Sequence, residues 1–357
     1  MENNEWDVII IGGGAAGLSA ALMLGRALRK VLVLDGGSPR NRFASHMHGV
    51  LGNEGADPLE FLSRARAEVA GYGVEVRSAV VKQVSETTEG IMVETDDGGQ
   101  LTARRLIAAS GVRDDLPAIP GMAQRWGRDV LHCPYCHGWE VRGKRLAVLA
   151  TSPMGIHQAQ LIRQWSDDVV FFTALAGPVD SDIAAQLAAR NVSRDPRPVS
   201  ELVVSDDALT GIRVEGGEVV DVDAVFTAAT LVPQDSYLAE FELEREDSAF
   251  GSFLKVDPTG RTSHPRIWAA GNITSPGANV PISIAAGAMA GGMVNADLVT
   301  EDFALAAASA ESYPADSAEN YPTAAAVAAE TSAATGTTAS AAVYATISAT
   351  AGEERAS

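Results

Sequence analysis

A β-branched apolar run that ends in a glycine turn fixes how this chain begins to fold. Asp7-Val8-Ile9-Ile10-Ile11 leads into Gly12-Gly13-Gly14-Ala15-Ala16-Gly17, after which Leu18, Ala21, Leu22 and Leu24 recur at helical spacing. The order reads as strand, tight turn and helix. Gly12 permits the turn, Gly14 lets a pyrophosphate approach the backbone at the helix N-terminus, and Gly17 allows the helix to pack closely on the strand. A second strand, Val31-Leu32-Val33-Leu34, ends on Asp35. An acid there accepts hydrogen bonds from a ribose diol and disfavours a 2′-phosphate, so FAD or NAD fits better than NADP. Gly13, Ala16, Gly36, Arg40 and Asn41 are assigned to the same nucleotide site.

At 357 residues, 46% hydrophobic and 34 glycines, the chain is long enough for two α/β domains with full cores. The polar, acidic start (Met1 to Trp6) lacks the features of a secretory signal, and no run is read as reaching transmembrane length, so cytoplasmic residence is the expectation. A net charge of -19 argues against nucleic-acid and membrane-surface partners.

Both cysteines lie in Cys133-Pro134-Tyr135-Cys136-His137-Gly138-Trp139-Glu140. Two are too few for a disulfide scaffold, and two residues between them suit a small, reducible disulfide. Zinc is not expected, because His132, Cys133, Cys136 and His137 within six residues cannot readily surround a tetrahedral ion.

A distant segment, Ile267-Trp268-Ala269-Ala270-Gly271-Asn272 with a small-residue helix from about Pro281 to Leu298, resembles the C-terminal flavin motif of the two-domain flavin disulfide reductases. There an acid reaches the ribityl chain and the next helix points its N-terminus at the flavin. In this chain Asn272 stands for the acid and Pro281, followed by Ile282, for the usual glutamine. Leu106-Ile107-Ala108-Ala109-Ser110-Gly111 resembles the strand and turn that return the chain toward the flavin. The resemblance covers residues 5 to about 300, and the family is the low-molecular-weight thioredoxin reductases. It implies an α/β fold of two Rossmann-like domains. A discontinuous FAD domain (1–114 and 236–303) carries an inserted NADPH-type domain (115–235) that holds the cysteines, and the chain forms a homodimer.

The inserted domain departs from that pattern. After the strand Arg145-Leu146-Ala147-Val148-Leu149 the turn reads Ala150-Thr151-Ser152-Pro153-Met154-Gly155, where a working NADPH site would have glycines at 150 and 152. Phe171-Phe172-Thr173-Ala174-Leu175 stands where the family carries cations for the 2′-phosphate. Electrons then enter through sulfur. The pattern from Cys133 to Glu140 is similar to the gliotoxin- and holomycin-type dithiol oxidases, which close disulfides in small metabolites with O2 as acceptor and H2O2 as product.

By this resemblance Cys136 faces the flavin and Cys133 exchanges with the substrate thiol. A helix N-terminus would favour their thiolates. His137 is the candidate acid-base group, and Glu140 could hold its imidazole. Tyr135 and Trp139 would line an apolar pocket, and His46 and His48 sit in a loop that could approach it. Two alternatives stand beside a small-molecule dithiol oxidase: a thioredoxin-disulfide reductase fed by ferredoxin or NADPH, and a non-catalytic redox sensor. The Ala/Ser/Thr-rich tail, 304–357, reads as a flexible or loosely helical arm.

Overall fold

In the computed structural model, which describes residues 5–88 and 90–311, the first apolar run becomes β1 (Glu5–Ile11) and the glycine turn feeds α1 (Ala15–Arg26). β2 (Val31–Asp35) follows, then α2 (Pro58–Ala70), capped by Asp57, whose carboxylate accepts the Leu59 and Glu60 amides at 2.7 and 2.9 Å. β3 (Glu75–Ser78), β4 (Val81–Glu86), β5 (Ile91–Thr95) and β6 (Gln100–Ala108) complete a sheet ordered β3-β2-β1-β6-β5-β4. β1 lies parallel to β2 and β6, so its apolar run is buried on both faces. Val8 and Ile10 pack with Leu18 and Leu24 of α1, whereas Ile9 and Ile11 join Val84, Ile91 and Tyr237 on the opposite face.

β7 (Val112–Asp115) leads from this mixed sheet to a second sheet, which is parallel. Along the chain come α3 (Met122–Arg125), β8 (Val130–Leu131), α4 (Pro134–His137), β9 (Leu146–Leu149), α5 (Gly155–Ile162), β10 (Val169–Phe172), α6 (Ser181–Ala189) and β11 (Val192–Asp195). The antiparallel strands β12 (Val199–Ser205), β13 (Ala208–Val214) and β14 (Val219–Asp221) precede β15 (Ala224–Thr227). The parallel order is β11-β10-β9-β15-β8. Val148 and Phe171 on one face pack with Ala159 and Ile162 of α5, and Leu149 and Phe172 on the other pack with Ile212 of β13. β16 (Thr230–Pro233) returns antiparallel to β7, so the two crossings brace each other. After the hairpin of β17 (Arg245–Ser248) and β18 (Gly251–Leu254), β19 (Ile267–Ala269) joins the first sheet beside β6, with Ile267 opposite Leu106.

α7 (Val280–Glu311) is longer than the helix read from the sequence, and residues 304–311, where the Ala/Ser/Thr-rich segment begins, are its last residues, the helical of the two forms read for that segment. The rest of the tail lies outside the described residues. By length and composition Val280–Ser309 is sufficient to cross a membrane, which corrects the reading that no run reaches that length. Its Ala290, Val294 and Leu298 are nevertheless fully buried in the core with Val8 and Leu24, as in a core helix. Close approach to α1 depends on Gly287 and Gly291, where a Cβ would stand 2.0 Å from Ala16 O and 2.6 Å from Ala20 O.

Candidate active site

One cavity of about 1220 Å³ extends from the glycine turn to the two cysteines. Gly12 has φ +109°, and a Cβ there would meet Ala109 O at 2.4 Å. A Cβ on Gly13 would stand 2.5 Å from the Asp35 carboxylate, and one on Gly17 would be 1.9 Å from Gly12 O. Gly17 is thus a packing residue, whereas Gly14 faces open space and begins α1 with no side-chain cap. Open backbone at an uncapped helix N-terminus fits a pyrophosphate. Asp35, Gly36, Asn41, Gly111, Gly271 and Asn272 line the same cavity with Gly12, Gly13, Gly14 and Ala16.

Several residues take other parts than their sequence positions suggest. Arg40 is on the cavity wall but forms a two-pronged pair with Asp114, with Nε at 2.9 Å and Nη2 at 2.7 Å. Asp35 receives the Gly37 amide at 3.0 Å and Arg66 Nη2 at 2.6 Å, so it carries a cation that the sequence did not point to. Pro281 and Ile282 do not line the cavity. Asn279, Val280 and Ser283 do, and Asn279 Oδ1 accepts the Ile282 amide at 3.2 Å to cap α7. Asn272 acts as a donor: its Nδ2 reaches the carbonyls of Ser275, Pro276 and Ala278 at 3.1, 3.2 and 2.8 Å, which no carboxylate could do. Deep in the wall, the Tyr237 hydroxyl lies 2.9 Å from Ser110 Oγ, and burial pushes its phenol up so that it stays protonated.

At the other end Cys133 and Cys136 are joined as a disulfide, with Cα atoms 5.3 Å apart, and both line the cavity. Cys133 is the N-cap of α4, and its Sγ accepts the Cys136 amide at 3.2 Å. A Cβ on Gly138 would come within 2.7 Å of the Trp165 ring, so glycine lets α4 lie against that indole. Tyr135 stays on the wall, edge-on to Trp165. Trp139 does not join it; it is exposed beneath the guanidinium of Arg142, 4.0 Å away.

Five histidines, 46, 48, 132, 137 and 157, line this cavity. Burial holds the His137 imidazole below the usual histidine range, and the nearby His48 adds to this while Glu140 opposes it. Burial, with Arg40, lowers His132 likewise. Glu140 forms no hydrogen bond to His137 among the described residues; its carboxylate lies 3.6 Å from His48 Nε2. His46 and His48, in the loop that the sequence places within reach of the site, both line the cavity.

The inserted turn carries side chains where the first turn has glycines. Ala150 is buried and sits where a Cβ on Gly155 would touch it at 2.7 Å, so the turn is closed down on α5. Ser152 Oγ accepts the Met154 amide at 3.3 Å, and no cation stands in 173–175. Arg197, beyond β11, is held by Asp195 and Glu218.

Comparison with known proteins agrees with this architecture. The chain matches the pyridine nucleotide-disulphide oxidoreductase family over residues 6–292. It is 32% identical over 313 residues to the thioredoxin reductase tcpT of Claviceps purpurea (strain 20.1), covering 84% of this chain and 96% of that protein. The crystal structure of HlmI aligns with a TM-score of 0.82 at 42% identity, covering 87% and 98% of the two chains. An oxidoreductase from Agrobacterium tumefaciens aligns with 0.79 at 37%, covering 83% and 99%. A mixed sheet and a parallel sheet, a glycine turn and a cavity-lining disulfide, together with these matches, make the chain a flavin-dependent thiol/disulfide oxidoreductase, a member of the pyridine nucleotide-disulphide oxidoreductase family.

Proposed function

We propose that this enzyme oxidises a small-molecule dithiol to its disulfide, using FAD and delivering the electrons to O2 as H2O2. The observation that supports the reading is the contrast between the two nucleotide turns: the first is open at Gly14, whereas the second has Ala150, packed toward Gly155, and Ser152, bonded to the Met154 amide, where glycines would leave open backbone. The Gly12–Gly14 turn and α1 would hold the FAD pyrophosphate, Asp35 the adenosine ribose, and Asn272 with the start of α7 the flavin end. When bound, FAD supplies the two-electron acceptor that restores the cysteine disulfide and passes the pair to O2.

The chain's own residues then account for the exchange. Neutral His137 takes the proton of one substrate thiol, and the resulting thiolate attacks Cys133 Sγ. The Cys133–Cys136 bond breaks and Cys136 leaves as a thiolate. The second substrate thiol gives its proton to solvent and attacks the substrate sulfur bound to Cys133; the bond from that sulfur to Cys133 breaks as the substrate disulfide forms, and Cys133 leaves, taking the proton back from His137. The substrate loses two electrons and the cysteine pair gains them. The amide of Cys136, already directed at Cys133 Sγ, stabilises the charge that develops on that sulfur as it leaves, before the proton from His137 reaches it.

The test is anaerobic reduction of the FAD-loaded protein. A dithiol alone should bleach the flavin, and admitting air should yield H2O2 over many turnovers. Rapid bleaching by micromolar NADPH would refute the reading in favour of a reductase, and a single reduction without turnover in air would favour a sensor.

A further inference from the structure

α5 runs beside the disulfide and is tied to the segment that carries it at three points. Gln158 Nε2 donates to the carbonyl of His132, the neighbour of Cys133, at 3.0 Å. Trp165, in the turn that ends α5, accepts the Gly143 amide through its carbonyl at 2.8 Å, and its ring stands edge-on to Tyr135 with centroids 5.9 Å apart. Ala159 and Ile162 turn one face of α5 into the core. Met154, His157, Gln158 and Leu161, spaced three or four residues apart, share the other face, and all four line the cavity that holds Cys133 and Cys136. Gln158 is engaged with His132, whereas His157 forms no hydrogen bond among the described residues. The cavity is also electrically balanced. Of the Asp and Arg side chains that line it, Arg40 pairs with Asp114, Asp35 with Arg66, and Arg113 with Asp115 at 3.3 Å.

We propose that the cavity face of α5, through Met154, His157 and Leu161, is the specificity-determining wall of the substrate site, and that it receives the body of an uncharged dithiol with an apolar, ring-sized face. The proposal rests on the dithiol reading above. A helix that follows a glycine turn would offer its N-terminus to a pyrophosphate, as α1 does after Gly14. In α5 that turn carries Ala150 and Ser152, and the side of the helix, not its end, lines the cavity with the disulfide. Leu161 lies between Gln158 and Trp165, the two residues that hold the disulfide segment, so its side chain is the nearest apolar surface of the helix to that segment. Met154, one to two turns earlier and 39% exposed, adds a polarisable thioether suited to an aromatic ring, and Tyr135 adds an exposed ring from the disulfide segment itself. His157 supplies one polar contact on this wall, the usual make-up of a small-molecule site. A charged substrate would leave water for a wall whose Asp and Arg groups are already paired, at an uncompensated desolvation cost.

The experiment follows flavin reduction under argon in the FAD-loaded protein with two matched pairs of dithiols. Dihydrolipoamide and dihydrolipoate differ in one carboxylate, and 1,2-benzenedimethanethiol and dithiothreitol differ in an aromatic body. The wild type should reduce faster with the neutral member of the first pair and with the aromatic member of the second. Leu161→Ala should lower the preference for the aromatic dithiol over dithiothreitol about tenfold, seen mainly in the half-saturating concentration. Met154→Lys, which places a cation on the wall, should move the ratio of dihydrolipoate to dihydrolipoamide about tenfold toward the anion. A purely structural role for α5 would shift neither ratio. Equal losses with all four dithiols in both variants, or a wild type that favours dihydrolipoate over its amide, would overturn the proposal. If Leu161→Ala fails to fold, Met154→Ala at its exposed position decides, and an unchanged preference for the aromatic dithiol there refutes the wall. Failure of all four dithiols to reduce the wild-type flavin would instead refute the dithiol reading itself.

Discussion

Replacing Asn272 with aspartate separates two accounts of this residue. If Asn272 merely substitutes for an acid, Asp should equal or improve on it. The structure gives the opposite order. Asn272 Nδ2 lies 3.1, 3.2 and 2.8 Å from the carbonyl oxygens of Ser275, Pro276 and Ala278. Its two N–H groups can satisfy two of these at a time, at about 1 kcal/mol each, so Asn272→Ala should cost about 2 kcal/mol. Asp loses the same bonds and adds a carboxylate facing carbonyl oxygens, for about 3 kcal/mol in all. Such a carboxyl has its folded pKa raised above an unfolded value near 3.9, so the added cost is absent below that pH and grows as pH rises through the folded pKa. Urea unfolding of the FAD-loaded protein at several pH values, with flavin release followed by fluorescence, should rank wild type above Ala above Asp at pH 7, with Asp recovering toward pH 4. An Asp variant as stable as wild type at pH 7, retaining flavin equally, would refute the donor role.

Gly287→Ala forces a Cβ to within 2.0 Å of Ala16 O and should destabilise by about 1–3 kcal/mol with loss of flavin retention, whereas Gly292→Ala, which meets nothing within 4 Å, should be neutral or stabilising by up to about 1 kcal/mol in thermal melts. His132 and His137 both have folded pKa values held down by burial. Their contribution is complete above the unfolded value near 6.5 and is lost as pH falls through the folded pKa; urea midpoints should therefore drop below about pH 6.5, less steeply in His132→Gln. Restoring glycine at both 150 and 152 should still give no NADPH-driven flavin bleaching at micromolar concentration, because 173–175 carry no cation; rapid bleaching would show that the turn alone blocks the site.

The glycine turn was legible because its constraints are local: the positive φ of Gly12, the uncapped start of α1 and Asp35 at the end of β2 all follow from neighbouring residues. The same holds for the disulfide, whose partners are three residues apart, and for the filled turn at Ala150 and Ser152. Long-range partners were not legible. Nothing local says that Arg40 meets Asp114, that Arg66 meets Asp35, or that Gly287 and Gly291 face α1. Asn272 reads as a weakened acid until the loop at 275–278 brings three carbonyls to its amide. Glu140, three residues past His137, has the spacing to hold that ring, yet α4 ends at His137 and the carboxylate meets His48 instead. The sequence by itself determined the turns, strand periods and redox pair, since each depends on backbone and spacing within a few residues. Only tertiary packing decided which side chains share a charge or a proton across the cavity, because those energies depend on distances between segments about ninety residues apart.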